Sequence, residues 1–268
     1  MDDLRSILKD RADLRKYLFI RGFLMTDDSS IDGKSFPFFD EWKCTRLGNF
    51  YVWTHRDTGF YWAHQDGRIF FLFGHAYNPF TMEISESNIL KRIAAHSGAS
   101  DFYDVISELT GIFVLGFMEG NKVSFLTDPS GMQSACAGVV NGKFYLTSHS
   151  QLVADILDLK MTPFIEELIH YKWYGRVMGP YLPADLTPFS ELKRIVPNIK
   201  YSFTGENICH KRFYPLDELK QVQNEKEYDE VICEAAKILK NGMTLVSEKW
   251  ERPWISLTGG IDSNTTFA

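Results

Sequence analysis

The spacing of apolar residues predicts that this chain alternates between blocks of helix and blocks of short strands. Apolar residues recur at helical intervals from Leu4 to Leu14, and Ser85 is placed to cap a second helix that ends near Gly98. Helices are predicted over residues 3–15, 85–98, 103–109, 150–157, 164–174 and 225–246.

Short apolar and aromatic runs bounded by turn-forming residues predict antiparallel strands. The strongest hairpin signal is Asn141-Gly142, because both residues accept the positive φ angles of a tight two-residue turn. Blocks of strands and helices follow one another, which predicts a layered α+β fold rather than repeated βαβ units. Strands are predicted over residues 17–24, 50–54, 59–63, 68–73, 111–118, 122–127, 135–140, 143–147, 199–203 and 209–214.

The segment 255–263 carries the clearest chemical signal. Residues 255–257 predict a short apolar strand, and the glycine pair after it lets backbone amides and a helix N-terminus converge on an anion. A carboxylate beside that anion suits a bridging magnesium ion, although an ordinary strand-to-helix turn is an open alternative. The candidate nucleotide-binding residues are Ser256, Thr258, Gly259, Gly260, Asp262 and Ser263, with Asp262 as the candidate metal ligand.

Composition narrows the classes of function. The chain has 268 residues, 44% of them hydrophobic, which is enough to bury a core in one or two domains. A formal net charge of −6 offers no broad basic field, so no nucleic acid partner is expected. Without a long apolar run or a signal peptide, the protein is predicted to be cytoplasmic and to have no membrane partner. The four cysteines lack metal-binding or disulfide spacing and are expected to be reduced and mostly buried.

Several motifs occur in the order that is typical of the asparagine synthetase family. Residues 258–263 resemble the Ser-Gly-Gly-x-Asp-Ser loop of the PP-loop ATP pyrophosphatases. Residues 73–78 (Phe-Gly-His-Ala-Tyr-Asn) stand where the family has Asn-Gly-Glu-Ile-Tyr-Asn, and residues 109–113 resemble its Leu-Asn-Gly-x-Phe. Residues 127–131 resemble Arg-Asp-x-x-Gly, and residues 187–197 are similar to the linker between the family's two domains.

The same resemblance implies a degenerate glutaminase site. The sequence Leu18-Phe19-Ile20-Arg21-Gly22 matches the family's Cys-Gly-Ile-x-Gly opening, so Leu18 takes the place of the nucleophilic cysteine. Phe73 replaces the oxyanion-hole asparagine and His75 replaces the carboxylate that follows, while Gly74 and Asp128 match the family pattern. The resemblance therefore implies a glutamine site without a catalytic residue, as in the β-lactam synthetases and the cyclases of lasso peptides.

The family pattern also implies a domain plan and an activity. Residues 1–160 would form an αββα sandwich of the N-terminal-nucleophile type, 161–220 a connecting segment, and 221–268 the truncated start of a doubly wound α/β PP-loop domain. The complete protein would use ATP and Mg²⁺ to adenylate a small-molecule or peptide carboxylate and form an amide, and this fragment alone is expected to be inactive. An asparagine synthetase fed by free ammonia, a non-catalytic interaction module and a homodimer are left open.

Overall fold

The computed structural model describes residues 4–179, 181–218, 221–256, 258–261 and 263. A 3-10 helix at Ala12–Tyr17 precedes the first strand. The α-helices are α1 (Leu4–Asp10), α2 (Glu86–Ala95), α3 (Phe102–Ser107), α4 (Ser150–Leu157), α5 (Pro163–His170), α6 (Tyr174–Val177) and α7 (Glu225–Lys249). The strands are β1 (Phe23–Thr26), β2 (Trp42–Leu47), β3 (Phe50–His55), β4 (Phe60–Gln65), β5 (Arg68–Tyr77), β6 (Thr110–Glu119), β7 (Lys122–Thr127), β8 (Cys136–Val140), β9 (Lys143–Thr147), β10 (Lys193–Arg194), β11 (Ile199–Phe203) and β12 (Ile208–Arg212).

The strands form two antiparallel sheets of six strands each within the described ranges. Sheet A has the order β10-β8-β9-β1-β3-β2, and sheet B has the order β12-β11-β7-β6-β5-β4. The sheets stack face to face around one hydrophobic cluster, a second cluster lies between sheet B and helices α2 and α3, and a third lies between sheet A and α4. The predicted α+β class and its αββα layer order are confirmed.

Strand β5 shows how the two-residue period builds these layers. Phe71 and Phe73 point into the space between the sheets, whereas Phe70 and Leu72 point toward α2 and α3. All four side chains are buried, which explains why β5 reads as a continuous apolar run rather than an alternating one. The strand is therefore covered on both faces.

Two predicted strands are not found where the sequence placed them. Residues 17–22 are not a strand, because Tyr17 ends the 3-10 helix and a turn follows in which Phe19 and Arg21 have φ angles of 50° and 56°. Left-handed φ angles at two residues of this turn are incompatible with extended backbone, so β1 begins only at Phe23. Residues 253–256 also lack strand structure, and the side chain of Ile255 is 45% exposed.

The predicted connecting segment contributes strands to both sheets. Strand β10 pairs with β8 at the edge of sheet A. Strands β11 and β12 extend sheet B through the pairing of β11 with β7. The sheets therefore continue beyond residue 160. None of the helices in the described ranges has the length and apolar character that crossing a membrane requires.

Candidate functional site

The residue assigned to the nucleophile position, Leu18, lies outside both sheets. It caps the C-terminus of the 3-10 helix, and the first residue of β1 is Phe23. Gly22 lies between the helix and the strand. The position requires glycine, because a Cβ there would lie 2.6 Å from the carbonyl oxygen of Phe19. The expectation that Leu18 sits on the first strand is therefore wrong. The start of that strand nevertheless presents an aromatic ring and no nucleophile.

A buried polar cluster that sequence reasoning missed surrounds the start of β1. The hydroxyl of Ser148 accepts a hydrogen bond from the backbone N–H of Phe23 (2.9 Å) and lies 2.8 Å from His149 Nδ1. Burial lowers the pKa of His149, which favours its neutral form. The Ser148 hydroxyl also lies 3.3 Å from the carbonyl oxygen of Phe23, to which it can donate. His55 Nε2 lies 3.0 Å from the carbonyl of Lys16, which ties the 3-10 helix to sheet A. Ser148 is only 1% exposed, and its hydroxyl serves the backbone at the start of β1.

Phe73, which the sequence assigns to the degenerate glutamine site, is buried between the two sheets. Its ring stacks on that of Phe23 at 4.1 Å with a 5° interplanar angle, and on that of Phe60 at 4.9 Å. The three rings come from β5, β1 and β4, so they join the two sheets. An apolar stack without a hydrogen-bond donor cannot stabilise an oxyanion.

Gly74 and His75 continue the strand beyond this stack. Gly74 has φ +95°, and a Cβ there would lie 2.2 Å from the carbonyl oxygen of Ile112, so the position requires glycine. The backbone N–H of Gly74 donates to the carbonyl of Gly59 (2.8 Å), which leaves this amide occupied. His75 turns outward with 43% of its side chain exposed, and its Nδ1 lies 3.4 Å from Glu86 Oε1.

Asp128 is fully buried and organises the loop after β7. Its carboxylate accepts hydrogen bonds from the backbone N–H groups of Phe113, Ser130, Met132 and Gln133, the last at 2.8 Å. The Ser130 hydroxyl donates as well, at 2.9 Å. The carboxylate thus accepts from four donors of this loop and one of β6, so Asp128 acts here as a structural acceptor rather than as an open ligand-binding group.

The loop at 258–263 brings two amides and two hydroxyls together. The backbone N–H of Thr258 donates to Ser263 Oγ (3.0 Å), and that of Gly260 donates to Thr258 Oγ1 (3.2 Å). The two hydroxyl oxygens lie 3.0 Å apart, and the backbone at residues 261 and 263 is helical. A Cβ on Gly259 would meet no atom within 4 Å, so the loop has open space beside it. Ser256 is exposed just before the loop, and Asp262 lies outside the described residues.

Two charged residues outside the predicted site connect it to α7. Lys249 Nζ lies 2.6 Å from Glu86 Oε1, and their side chains are 10% and 7% exposed. Burial alone would raise the pKa of Glu86, but hydrogen bonds from His75 and Lys249 outweigh it and hold that pKa below its usual value. The sequence predicts the helix that Glu86 begins but not this ion pair, because Lys249 is far away along the chain and meets Glu86 only in the folded protein.

The cysteines differ from their expected burial. Cys44, Cys209 and Cys233 are exposed and only Cys136 is buried, so the expectation of mostly buried thiols is wrong. Burial raises the pKa of Cys136 to about 11. Cys44 lies on β2, which is at the edge of sheet A. Across the described ranges, no three His, Cys, Asp or Glu side chains are grouped so as to hold a metal ion.

Comparisons with known proteins give a likeness of fold only. No family model matches the chain, and no curated protein matches it. A glutamine phosphoribosylpyrophosphate amidotransferase from B. subtilis is 13% identical with a TM-score of 0.43, over 75% of this chain and 45% of that one. The structure of an allosteric regulatory enzyme of purine biosynthesis is 11% identical with a TM-score of 0.41, over 76% and 47%. This chain spans less than half of either protein, and TM-scores this low transfer no function to it.

Proposed function

We propose that this chain is the N-terminal part of an ATP-dependent ligase of the asparagine synthetase type. The complete protein would adenylate a carboxylate and join it to an amine, forming an amide and releasing AMP and pyrophosphate. The first domain would be a scaffold without glutaminase activity, so the amine would come from the substrate itself rather than from glutamine.

The geometry of the loop at 258–263 is the observation that carries the proposal. The amides of Thr258 and Gly260 point inward at the hydroxyls of Thr258 and Ser263. A phosphate oxygen that displaced these hydroxyls would meet the same amide donors beside the helical backbone of residues 261 and 263. The open space beside Gly259 would admit it without a side chain in the way.

Residues of this loop would hold both the nucleotide and its metal. Thr258, Gly260 and Ser263 would supply neutral donors to the phosphates, and Asp262 is the candidate ligand for magnesium. A magnesium ion bound with ATP would offset the negative charge that collects on pyrophosphate. The loop contains no lysine, which suits a metal-dependent arrangement. The backbone amides and the magnesium ion would together offset the negative charge of the phosphates.

The filled first site supports the scaffold role. Hydrolysis of glutamine needs a nucleophile and an oxyanion hole, and the corresponding region holds the Phe23, Phe60 and Phe73 rings. No thiol in the described ranges lies on β1: Cys44 is on β2 and Cys136 on β8. An amine donor other than glutamine is therefore favoured.

Pyrophosphate exchange tests the proposal directly. The protein expressed from its complete reading frame is incubated with ATP, labelled pyrophosphate and a panel of amino acid and peptide carboxylates. We expect label to enter ATP only with the cognate carboxylate, and Asp262→Ala to abolish the exchange. Product analysis with added ammonium and aspartate separates an ammonia-fed asparagine synthetase from a ligase that uses an amine on its own substrate.

Matched hydroxyl variants sharpen this test. Ser263→Ala removes a group that would contact phosphate and should lower the exchange rate by at least about tenfold. Ser247→Ala removes an exposed hydroxyl from α7, where it bonds only within its own helix, and should leave the rate unchanged. Exchange that persists in Asp262→Ala, or wild-type protein that fails to bind ATP, would reject the proposed activity.

A further inference from the structure

Within the described part of the chain, helix α7 is buried toward its C-terminus. From Glu225 to Lys237 every residue of the helix is exposed. Further along, the side-chain amide of Asn241 donates to the carbonyl of Pro79 (2.8 Å), and Leu245 is fully buried. The position of the helix therefore depends on its last few turns.

Lys249, the final residue of α7, makes three polar contacts with the rest of the protein. Its ammonium group lies 2.6 Å from Glu86 Oε1 and donates to the carbonyl oxygens of Ile84 (2.7 Å) and Ala76 (3.4 Å). Three acceptors match the three N–H groups of an ammonium ion, so the buried charge is fully satisfied.

The two helices that meet at this ion pair favour its polarity. Lys249 lies at the C-terminus of α7, where positive charge is stabilised, and Glu86 lies at the first position of α2, where negative charge is stabilised. His75 adds a second partner to Glu86 at 3.4 Å, and its ring meets the edge of Trp250 at 5.7 Å and 89°. The contact therefore reaches from the degenerate glutamine site to the last turn of α7.

Little chain separates this contact from the loop at 258–263. Because an extended chain covers at most about 3.5 Å per residue, residues 250–257 reach no further than roughly 30 Å. Residues 253–256 have no regular secondary structure of their own. The start of the loop therefore lies within roughly 30 Å of Lys249, so the place where Lys249 is held limits where the loop can lie.

We infer that Lys249 is a positioning residue, which through Glu86 fixes the end of α7 on the first domain and so restricts where the nucleotide loop at 258–263 can lie. This inference rests on the proposed nucleotide site. In this arrangement the first domain takes no part in the chemistry. It contributes by holding α7, the helix that leads to the nucleotide loop.

Amide hydrogen exchange measures the contact independently of any ligand. In Lys249→Met, and in Glu86→Gln, which breaks the same pair with an isosteric group, exchange of residues 241–250 should accelerate by at least about tenfold, because a buried charge has lost its partner. Lys249→Arg should restore most of the protection. Lys226→Met breaks an exposed pair with Glu230 at the other end of α7 and should leave residues 241–250 unchanged.

The ATP dependence of pyrophosphate exchange then separates positioning from mere stability. Below the unfolding temperature of every variant, the KM for ATP should rise at least about tenfold in Lys249→Met with a smaller change in kcat, and Lys249→Arg should recover it. Unchanged hydrogen exchange would overturn the inference, and so would faster exchange with an unaltered KM. A wild-type protein without ATP-dependent activity would remove the proposed function and the positioning role together, while hydrogen exchange would still report the contact itself.

Discussion

Replacing Asp128 by asparagine tests whether its carboxylate holds the loop after β7. The change keeps the shape of the side chain but turns one acceptor oxygen into a donor. Whichever way the new amide faces, it opposes backbone N–H groups: those of Phe113 and Gln133 on one side, or those of Ser130 and Met132 on the other. Hydrogen bonds to a charged acceptor contribute about 1.5–3 kcal/mol each. Because the loop can relax in part, we expect the loss of two such bonds to cost about 3 kcal/mol of unfolding free energy.

Urea and thermal unfolding, followed by tryptophan fluorescence and circular dichroism, measure this loss. At about 2–4 °C per kcal/mol for a protein of this size, the unfolding temperature should fall by roughly 6–12 °C. Asp229→Asn, an identical change at an exposed position on α7, serves as the control and should leave the midpoint unchanged. If Asp128→Asn unfolds at the same urea concentration as the wild type, the carboxylate does not organise the loop and its assignment as a structural acceptor is wrong.

Four further outcomes follow from the same structure. Phe73→Ala should lower the unfolding free energy by about 3–5 kcal/mol, since it empties a stack between the sheets, and a loss below about 1 kcal/mol in urea titration would contradict that packing. The pKa of Glu86 is lower in the folded protein than its usual value of 4.5. Its contribution to stability is therefore present above about pH 4.5 and is lost as the pH falls through the folded-state pKa. In thermal melts the wild type should lose more stability than Glu86→Gln between about pH 5 and pH 3. Ellman's reagent at about pH 8 should spare Cys136 until the protein is unfolded, because burial raises the pKa of this thiol to about 11. Glutamine should release no ammonia in a coupled assay, and activity that survives Cys44→Ala would show that a nucleophile has been overlooked.

Local interactions made much of the fold predictable from the sequence. The turn at Asn141-Gly142 has φ angles of 51° and 72°, as its composition predicts, and it joins β8 to β9. Ser85 accepts a hydrogen bond from the backbone N–H of Asn88 and begins α2 where the sequence places a cap. Each of these features depends on a few neighbouring residues, which is why the chain alone reveals it.

Features that depend on distant contacts were missed or misplaced. The apolar run from Tyr17 resembles a strand, yet contacts such as that of His55 with the carbonyl of Lys16 hold the preceding 3-10 helix in place, and the chain turns before Phe23. Strand β2 was missed because its exposed residues break the alternation, and it is recognisable only through its pairing with β3. Likewise, the pairing of Glu86 with Lys249 depends on how α7 docks, which no local pattern encodes.

The side chain at position 73 shows what an apolar residue contributes between the two sheets. A polar side chain facing the space between the sheets would need a hydrogen-bond partner, and an unpaired buried amide costs about 1–3 kcal/mol by mutational data. Phe73 removes that requirement and adds aromatic contacts with Phe23 and Phe60 at 4.1 and 4.9 Å. Phe73 therefore joins the two sheets through its contacts with Phe23 and Phe60. The positioning role proposed for Lys249 depends on this packing, because Glu86, its partner, begins the helix α2 that packs on the outer face of sheet B.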